Sequence, residues 1–470
     1  MIKIHKNIYI ETTDQDLTAL GGVTGFDYLY NLLEIAKRVA PHLPTQKVAG
    51  IKNSLQKFKD LALGFVEGCD CLDDMAHMAE DEAIKKTMPD FYTPKAYGDF
   101  LRDFSTVNLK GLNLSLAKLA WTLRCFFMQN FGEKDPNKHF DTITFDFDST
   151  LNRQYGVKME GVRPGYKDFL CLDTLQVFCD KGFQYWNEVR EGGTHTAEGS
   201  AEIVHHVMDQ VPSEVDGRPI RRYIRADAGY CNYNFMNSCH AKGCGFVVRL
   251  IPQILDTVIH QVTHWQRQDP TDDKRIVFYD KRECEIGSTV FYPERSHYAM
   301  RAVIMRAPKK DHGNSLFKDI HTDYDYFAWV TNIGEGEKGD VEIIRFYRGR
   351  GHAENFIREV KYGFDLKHYP CLKLDANRAY GLVAAFAYNL MRLTALQLNP
   401  KKPGFAKKTR KRLLRSPAVI VRHAGRTVFR MMKRHIKEMT AWLERLKTLQ
   451  IWYARMSLSL QCGRSLTSSS

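Results

Sequence analysis

The chain has 470 residues, of which 44% are hydrophobic and 12% aromatic, a composition that excludes a disordered protein and favours two or three globular domains. Its formal net charge of +13 favours an anionic partner such as nucleic acid. No run of 18 apolar residues occurs and no apolar signal segment opens the chain, so neither a membrane span nor a signal peptide is expected.

The N-terminal part of the chain is predicted to be helical. From about Thr24 to Phe131 the apolar residues recur with helical periodicity, as in Phe26–Ala36. Short helices broken by polar residues are compatible with a helix-turn-helix-like DNA module and equally with a plain bundle. We therefore predict an all-α N-terminal region over residues 1–138 and assign DNA binding to it.

The periodicity changes after residue 138. Ile143, Phe145 and Phe147 alternate with polar residues, which predicts a strand with one apolar and one polar face. Further strands and helices are predicted at Phe169–Phe178, Phe183–Trp186, Ala197–Asp209 (helix), Arg222–Ala226 and Phe246–Leu250. Three strands, a helix, then strands flanked by helices is the order of a ribonuclease-H-like α/β core, whose first part we place at residues 139–250.

Residues 251–340 are predicted to form a β-rich insertion in this core. Four strands are predicted there, at Val277–Tyr279, Ser288–Tyr292, Tyr298–Ile304 and Tyr326–Val330. The second part of the core, residues 341–400, follows the insertion. The overall prediction is an α/β fold with a ribonuclease-H-like core, an all-α N-terminal region and an insertion before Glu354.

The basic excess of the chain is concentrated in residues 401–470. This region has 18 Lys or Arg residues and only two acids, Glu438 and Glu444. It is either a solvated tail or a nucleic-acid contact, and the latter is favoured. The residues after about 435 receive no predicted role.

The most informative segment is Tyr347–Lys361. On a helix of 100° per residue, four side chains fall within an arc of roughly 60°. They are one phenol, two cations and one carboxylate: Tyr347, Arg350, Lys361 and Glu354. The solvent face of an amphipathic helix is the plain alternative for any single pair. Together, the four suit a site where a metal-binding acid lies beside groups that hold phosphate.

Two aspartates complete the predicted site. Asp148 and Asp227 each close a predicted strand, and a helix packed on the sheet could bring Glu354 to the same place. Three carboxylates repel one another unless a cation neutralises them, so the cluster predicts Mg²⁺ or Mn²⁺. Two such ions would activate the attacking oxygen and stabilise the leaving oxygen in phosphodiester displacement.

The eleven cysteines, an odd and scattered set, do not indicate a disulfide framework and favour a reducing cytoplasm. Four residues cluster as possible zinc ligands: Cys231, Cys239, His240 and Cys244. Their spacing matches no common zinc motif, so a metal site is not favoured there.

The four-residue pattern resembles the Tyr-x2-Arg-x3-Glu-x6-Lys (YREK) signature of bacterial insertion-sequence transposases, and it matches residue for residue. Phe145–Thr150 and Arg225–Tyr230 resemble the two aspartate blocks of that family. Leu63–Gly68 and Ala387–Leu390 resemble its N-terminal helical region and the helix after the signature. The resemblance extends from about residue 15 to 435.

The resemblance implies a DDE transposase that binds terminal inverted repeats, cleaves the DNA ends and joins their 3′-hydroxyls to target DNA with two Mg²⁺ or Mn²⁺ ions. It assigns Asp148, Asp227 and Glu354 to catalysis and metal binding. It assigns Tyr347, Arg350 and Lys361 to DNA phosphates. Double-stranded DNA is the implied partner, with a homodimer bridging two ends in the bacterial cytoplasm.

Several alternatives remain open on the sequence. Asp146 shares a strand face with Asp148, although the Asp-Ser-Thr order favours Asp148. Trp329 or Phe327 could hold a flipped base, as an aromatic of the insertion does in some relatives, but a buried strand residue is the preferred interpretation of each. The alternative functions are a catalytically silent DNA-binding protein derived from such an element and a structure-selective nuclease with the same core.

Overall fold

The computed structural model describes residues 2–5, 8–45, 50–87, 91–131, 142–215, 218–272, 275–293, 295–296, 298–309 and 323–462. The chain forms two compact units. We call them the terminal unit (Met1–Leu112 with Val360–Ser470) and the central unit (Asn113–Glu359). The four boundaries between the five predicted domains, which divide the chain more finely than these two units, stay predictions.

The elements are numbered along the chain. The helices are α1 (Val23–Leu32), α2 (Ile35–Val39), α3 (Gly50–Glu67), α4 (Asp74–Met78), α5 (Glu82–Thr87), α6 (Pro94–Arg102), α7 (Thr106–Phe131), α8 (Ser200–Met208), α9 (Tyr233–Ala241), α10 (Pro252–Ile259), α11 (Asp340–Arg348), α12 (Gly351–Gly363), α13 (Leu374–Leu398), α14 (Ala406–Thr409) and α15 (Lys433–Cys462). The strands are β1 (Ile2–His5), β2 (Ile8–Ile10), β3 (Leu17–Thr18), β4 (Thr142–Arg153), β5 (Arg163–Pro164), β6 (Leu170–Cys179), β7 (Gln184–Glu191), β8 (Glu214–Val215), β9 (Arg218–Pro219), β10 (Arg221–Ala226), β11 (Gly245–Arg249), β12 (Gln266–Arg267), β13 (Glu285–Phe291), β14 (Met300–Pro308), β15 (Tyr324–Thr331), β16 (Ala418–His423) and β17 (Arg426–Met431). The predicted mixed α/β class is confirmed. The prediction that residues 1–138 are all-α is wrong, because three short strands, β1 to β3, precede the first helix.

The central unit is built on one ten-stranded sheet. Its order is β12-β13-β14-β15-β11-β10-β4-β6-β5, and β7 pairs with β6. Strands β4, β10 and β11 run parallel to one another. On the other side of β4, β6 pairs with it in antiparallel fashion, and β7 is antiparallel to β6. Parallel strands end at the same edge of a sheet, so residues that follow β10 lie beside residues of β4.

The residues predicted as a β-rich insertion continue this same sheet. Strand β15 pairs with β11 in antiparallel fashion, and β14 and β13 follow outward from it. Three of the four strands predicted there are confirmed, but Val277–Tyr279 has no strand structure and that prediction is wrong. Phe278 instead packs against Arg282 and Phe327, so its apolar character reflects burial in a loop.

The strand β4 differs from the predicted pattern of one apolar and one polar face. Its residues from Ile143 to Asp148 are all buried, including Thr144 and Asp146. A strand in the middle of a sheet that is covered on both faces buries both of its side-chain rows. The polar residues of β4 are therefore inside the protein and require partners there.

The terminal unit is mainly helical. The predicted helical character of Thr24–Phe131 is confirmed by helices α1 to α7, the last of which continues into the central unit. Helix α13 is almost completely buried along its length, and apolar side chains of α3 pack on it, with Phe58 against Phe386. The C-terminal helix α15 packs in the same unit. Its Trp442 is fully buried, and the ring lies 4.8 Å between centroids from the ring of Phe26 in α1. The described part of the basic C-terminal region is thus folded, and the tail interpretation is wrong for it.

Among the described residues, no helix combines the length and the apolar character that a bilayer crossing requires. The ten cysteines from Cys69 to Cys371 are all free.

Candidate active site

Asp148 and Asp227 lie side by side in the central unit. The parallel ladder between β4 and β10 ends with Phe147 opposite Ala226, and each aspartate is the next residue along the chain from one of these two. Asp227 follows the end of β10, as predicted. Asp148 does not close its strand, because β4 continues to Arg153 in its ladder with β6; that prediction is wrong, and what ends at Asp148 is the pairing with β10.

Each of the two carboxylates has one oxygen held by the backbone. Oδ1 of Asp148 accepts from the backbone N–H of Ser149 at 2.9 Å. Oδ1 of Asp227 accepts from the N–H of Gly229 at 2.9 Å and caps the short 3-10 helix Ala228–Tyr230. The remaining oxygens, both Oδ2, face a single guanidinium group.

That guanidinium belongs to Arg350. Its Nη2 lies 2.7 Å from Oδ2 of Asp148 and 3.9 Å from Oδ2 of Asp227. The Arg350 side chain is 11% exposed, and its buried Nε has no hydrogen-bond acceptor among the described residues. One cation therefore bridges two acids and keeps a donor group for a further anionic partner.

Asp148 is a poorly compensated acid. Burial raises its pKa to about 7; Arg350 opposes this shift, and the neighbouring charge of Asp227 adds to it. A carboxylate that is desolvated and faces a second carboxylate favours additional positive charge nearby. The site thus has the electrostatic character expected where a cation binds, although one guanidinium already lies there.

The predicted single helix through Tyr347, Arg350, Glu354 and Lys361 is wrong. Helix α11 ends at Arg348, α12 begins at Gly351, and Arg350 lies in the turn between them. In this turn the N–H of Arg350 donates to the carbonyl of Tyr347, three residues back, at 2.9 Å. Two glycines, at 349 and 351, disfavour helix continuation.

A second arginine, Arg225, also contributes to the break between α11 and α12. Nη1 of Arg225, on β10, donates to the carbonyl of Phe346 at 2.7 Å, and a Cβ on Gly349 would lie 2.4 Å from that nitrogen. The Phe346 carbonyl is thereby drawn to a side chain from the sheet. Arg225 also pairs with both oxygens of Asp146, through Nε at 2.7 Å and Nη2 at 2.8 Å.

Arg225 and Asp146 form a buried unit beneath the site. Their side chains are 8% and 1% exposed, so neither is open to a ligand. The pair ties β4 and β10 to the turn that carries Arg350. Of the two aspartates that the sequence left open, Asp146 is committed to this internal pair, whereas Asp148 faces Asp227 and Arg350.

Glu354 lies in the first turn of α12 and is exposed. Phe356, two residues further on, packs against Phe178 of β6 at 5.8 Å between centroids, which holds α12 on the sheet. Among the described residues, however, no group of three or more His, Cys, Asp or Glu side chains is arranged to hold a metal ion. The structure brings Asp148 and Asp227 together but does not bring Glu354 into a metal-ligand group with them.

Tyr347 is buried beside the aspartates. Burial raises its pKa to about 12, and the charge of Asp227 contributes in the same direction, so the phenol remains a neutral hydrogen-bond donor. Its ring packs against Trp329, which is itself fully buried in the core. The interpretation of Trp329 as a buried strand residue is confirmed.

Lys361 lies on α12 in the part that belongs to the terminal unit, and its side chain is half-buried. It is therefore described separately from the site of the central unit.

Three residues near the site were given no functional role from the sequence. They are Arg225, Arg249 and Tyr279. Arg249 and Tyr279 both affect the pKa of the Tyr347 phenol, and both contact the ring of Phe327. Arg249 ends β11, the strand that follows β10 in the parallel set, so its position at the same sheet edge was a usable signal. Tyr279 lies in a loop and gave no signal.

The possible zinc ligands serve packing instead. Cys231, Cys239 and Cys244 are buried, and burial raises the pKa of Cys244 to about 11, which keeps it a thiol. The ring of His240 stacks on Tyr298 at 3.8 Å between centroids. In the described parts of the chain these residues form no metal-ligand group.

Two glycines of the turn give a matched pair of substitutions. Gly349→Ala is expected to lower the thermal unfolding midpoint, because its Cβ would lie 2.4 Å from Nη1 of Arg225. Gly351→Ala meets no atom within 4 Å and is expected to raise the midpoint, because alanine favours a helix over glycine by roughly 0.5–1 kcal/mol. Equal effects from both substitutions would contradict the account of the turn.

Comparison with known proteins identifies the family of the chain. No curated protein matches the chain. A family model described as transposase DDE domain group 1 matches residues 2–451, which is almost the whole chain and includes both aspartates. The chain therefore belongs to the DDE transposase family.

Proposed function

We propose that this transposase binds the terminal inverted repeats of an insertion sequence, cleaves the DNA ends and joins their 3′-hydroxyls to target DNA. The observation that carries the proposal is the pair Asp148 and Asp227. They lie at neighbouring positions of two parallel strands and share one buried guanidinium. Water attacks first and the freed 3′-hydroxyl attacks second, with no covalent bond between protein and DNA.

The order of strands supports a ribonuclease-H-like core. In the sequence β7-β6-β4-β10-β11, each neighbouring pair among the first three strands is antiparallel, and the last two strands run parallel to β4. The site lies at the edge where the parallel strands β4 and β10 stop pairing. This is the region where α/β sheets commonly bind ligands, beyond the carboxyl ends of parallel strands.

The donor set is compatible with a divalent cation. Asp148 and Asp227 offer oxygen ligands of the type that Mg²⁺ and Mn²⁺ prefer, and the raised pKa of Asp148 marks a shortage of positive charge. Glu354 is proposed as the third ligand. Two divalent ions held there would activate the attacking oxygen and stabilise the leaving oxygen.

The other residues of the site position DNA. Arg350 has a buried Nε without an acceptor in the described structure, and its planar guanidinium suits bidentate phosphate binding. We propose that it exchanges the aspartate contact for a backbone phosphate when the ends bind. Tyr347, a neutral phenol, donates a hydrogen bond to the same backbone, and Lys361 is proposed to bind a flanking phosphate as a point charge.

The partner is double-stranded DNA, and a homodimer is proposed to hold the two ends in the bacterial cytoplasm. Of the alternatives, a silent DNA-binding protein is disfavoured by an intact pair of acids with a shared cation. A nuclease that cleaves without joining would use the same aspartates, so the products must distinguish it.

One reaction separates the three functions. Purified protein is incubated with Mg²⁺ or Mn²⁺, linear DNA that carries both ends of the element, and a target plasmid. Joined products are expected. Cleavage without joining would favour the nuclease, and binding without cleavage would favour the silent protein.

A further inference from the structure

A basic β-hairpin stands out from the terminal unit. Strands β16 and β17 pair from Ala418 opposite Met431 to His423 opposite Arg426. The two turn residues, Ala424 and Gly425, have φ angles of 50° and 74°, which match the twist of a tight two-residue hairpin. All seven residues from Arg422 to Val428 are exposed, so the distal half of the hairpin lies in solvent.

The hairpin is fixed at its base. Ala418 and Val419 pair with β3, and the N–H of Ile420 donates to the carbonyl of Asp16 at 2.8 Å. Ala418 and Ile420 are 4% and 5% exposed. The proximal half is therefore part of the folded unit, and the distal half is a short, regular projection from it.

The exposed face of the hairpin is cationic. Arg426, Val428 and Arg430 alternate along β17 and share one side of the ribbon, with His423 opposite Arg426. Arg422 lies at the same tip. In the described structure, none of Arg422, Arg426 and Arg430 forms a hydrogen bond or ion pair through its side chain, although Arg422 acts at longer range on Glu82.

The other arginines of this region behave differently. Residues 401–435 include 13 Lys or Arg and no Asp or Glu. Arg410 donates to the carbonyls of Phe65 and Val66, and Arg412 and Arg415 pair with Glu438 and Glu67. Arg410 is buried and stabilises the fold, whereas Arg412 and Arg415 are held in ion pairs at the surface. The structure thus separates these three arginines, which have partners within the protein, from the hairpin cations.

We propose that the β16–β17 hairpin is a DNA-binding wing, which enters the major groove of duplex DNA. A two-stranded ribbon fits this groove, which is about 12 Å wide. Arg422, Arg426 and Arg430 contact phosphates or base edges, and the exposed Val428 between two of them lies against the bases. This inference rests on the proposed function for its partner and names a DNA contact outside the active site.

The test uses the full-length protein and two double variants of equal charge change. The first is Arg426→Gln with Arg430→Gln. The control is Lys52→Gln with Lys95→Gln, two exposed cations of the terminal unit outside the hairpin. Binding to a short duplex from the end of the encoding element, and to a scrambled duplex, is measured by fluorescence anisotropy over a series of salt concentrations.

The hairpin variant is expected to bind both duplexes more weakly. The slope of log K against log salt is negative, and each lost phosphate contact reduces its magnitude by about 0.9, so the loss of two contacts reduces it by about 1.8. The control variant keeps the wild-type slope.

An unchanged slope, or an equal decrease in the control variant, would overturn the proposal. A change in oligomeric state with unchanged DNA affinity would also overturn it and mark the hairpin as a protein interface. If the wild-type protein binds DNA through the hairpin but neither cleaves nor joins it, the proposed function is wrong, whereas the DNA-binding role of the hairpin is supported.

Discussion

Asp227→Asn is expected to lower cleavage and strand joining by about 10³-fold or more. Removing one preorganised electrostatic group at a reaction centre costs about 10²–10³-fold, and this change also removes the charge of a proposed metal ligand. The asparagine keeps the shape of the side chain and the cap to the N–H of Gly229. Asp148→Asn is expected to have the same effect, because its Oδ2 faces the same guanidinium.

The measurement is a single-turnover assay on DNA that carries one element end, with affinity for the same DNA measured in parallel. Catalysis should fall while affinity stays within a few-fold of wild type, because the substitutions leave the exposed basic surfaces intact. Glu202→Gln, on the exposed end of α8, is the control and should keep full activity. Retention of more than about a tenth of the activity by either aspartate variant would contradict the assigned roles, given the losses typical of such groups.

Arg225→Met is expected to give the largest loss of stability. It leaves the carboxylate of Asp146 buried without its bidentate partner, and breaking a buried ion pair from one side typically costs about 3–5 kcal/mol. The pKa of Asp146 is already raised by burial, against the effect of Arg225, so the remaining acid would take up a proton more readily.

The loss of stability in the central unit is measured by chemical unfolding, with hydrogen exchange of peptides from β4 and β10 as the probe. The double variant Arg225→Met with Asp146→Leu should recover much of the stability, because it removes both charges together. Arg267→Met is the control; its arginine pairs with Glu285 at the surface and its loss should leave the unfolding midpoint nearly unchanged. Equal effects from Arg225→Met and Arg267→Met would contradict the structural role of the buried pair.

A comparison of Asp146→Asn with Asp148→Asn decides between the two candidate aspartates. Asp146 should be required for folding and Asp148 for chemistry, so Asp146→Asn lowers stability whereas Asp148→Asn leaves a folded, inactive protein. The opposite result would exchange their roles. The alternation along β4 shows that both share a face, but only the partner of each distinguishes them, and Arg225 lies 79 residues away from Asp146 in the chain.

Local patterns predicted the elements of the sheet well. Ile143, Phe145 and Phe147 marked β4, and Asp227 was correctly placed after β10 because turn residues follow an apolar run there. The break between α11 and α12 could not be found in this way. It depends on Arg225 from the sheet, which takes the Phe346 carbonyl, and helical periodicity contains no information about such a contact.

The basic C-terminal region shows a similar limit. Its composition indicated a nucleic-acid contact but gave all its cations equal weight. Arg410 is buried against the carbonyls of Phe65 and Val66, more than 300 residues earlier in the chain, whereas Arg426 is exposed. Only tertiary structure separates an arginine that stabilises the fold from one that is available to DNA.

The decisive measurement is Mn²⁺ binding to the DNA-bound protein by electron paramagnetic resonance, in the wild type and in Asp148→Asn, Asp227→Asn and Glu354→Gln. Protein-bound Mn²⁺ is expected in the wild type and should be lost or strongly weakened in each of the three variants. If Glu354→Gln binds Mn²⁺ as the wild type does, the acid on α12 is not a ligand, and the three-carboxylate centre proposed for this transposase is wrong.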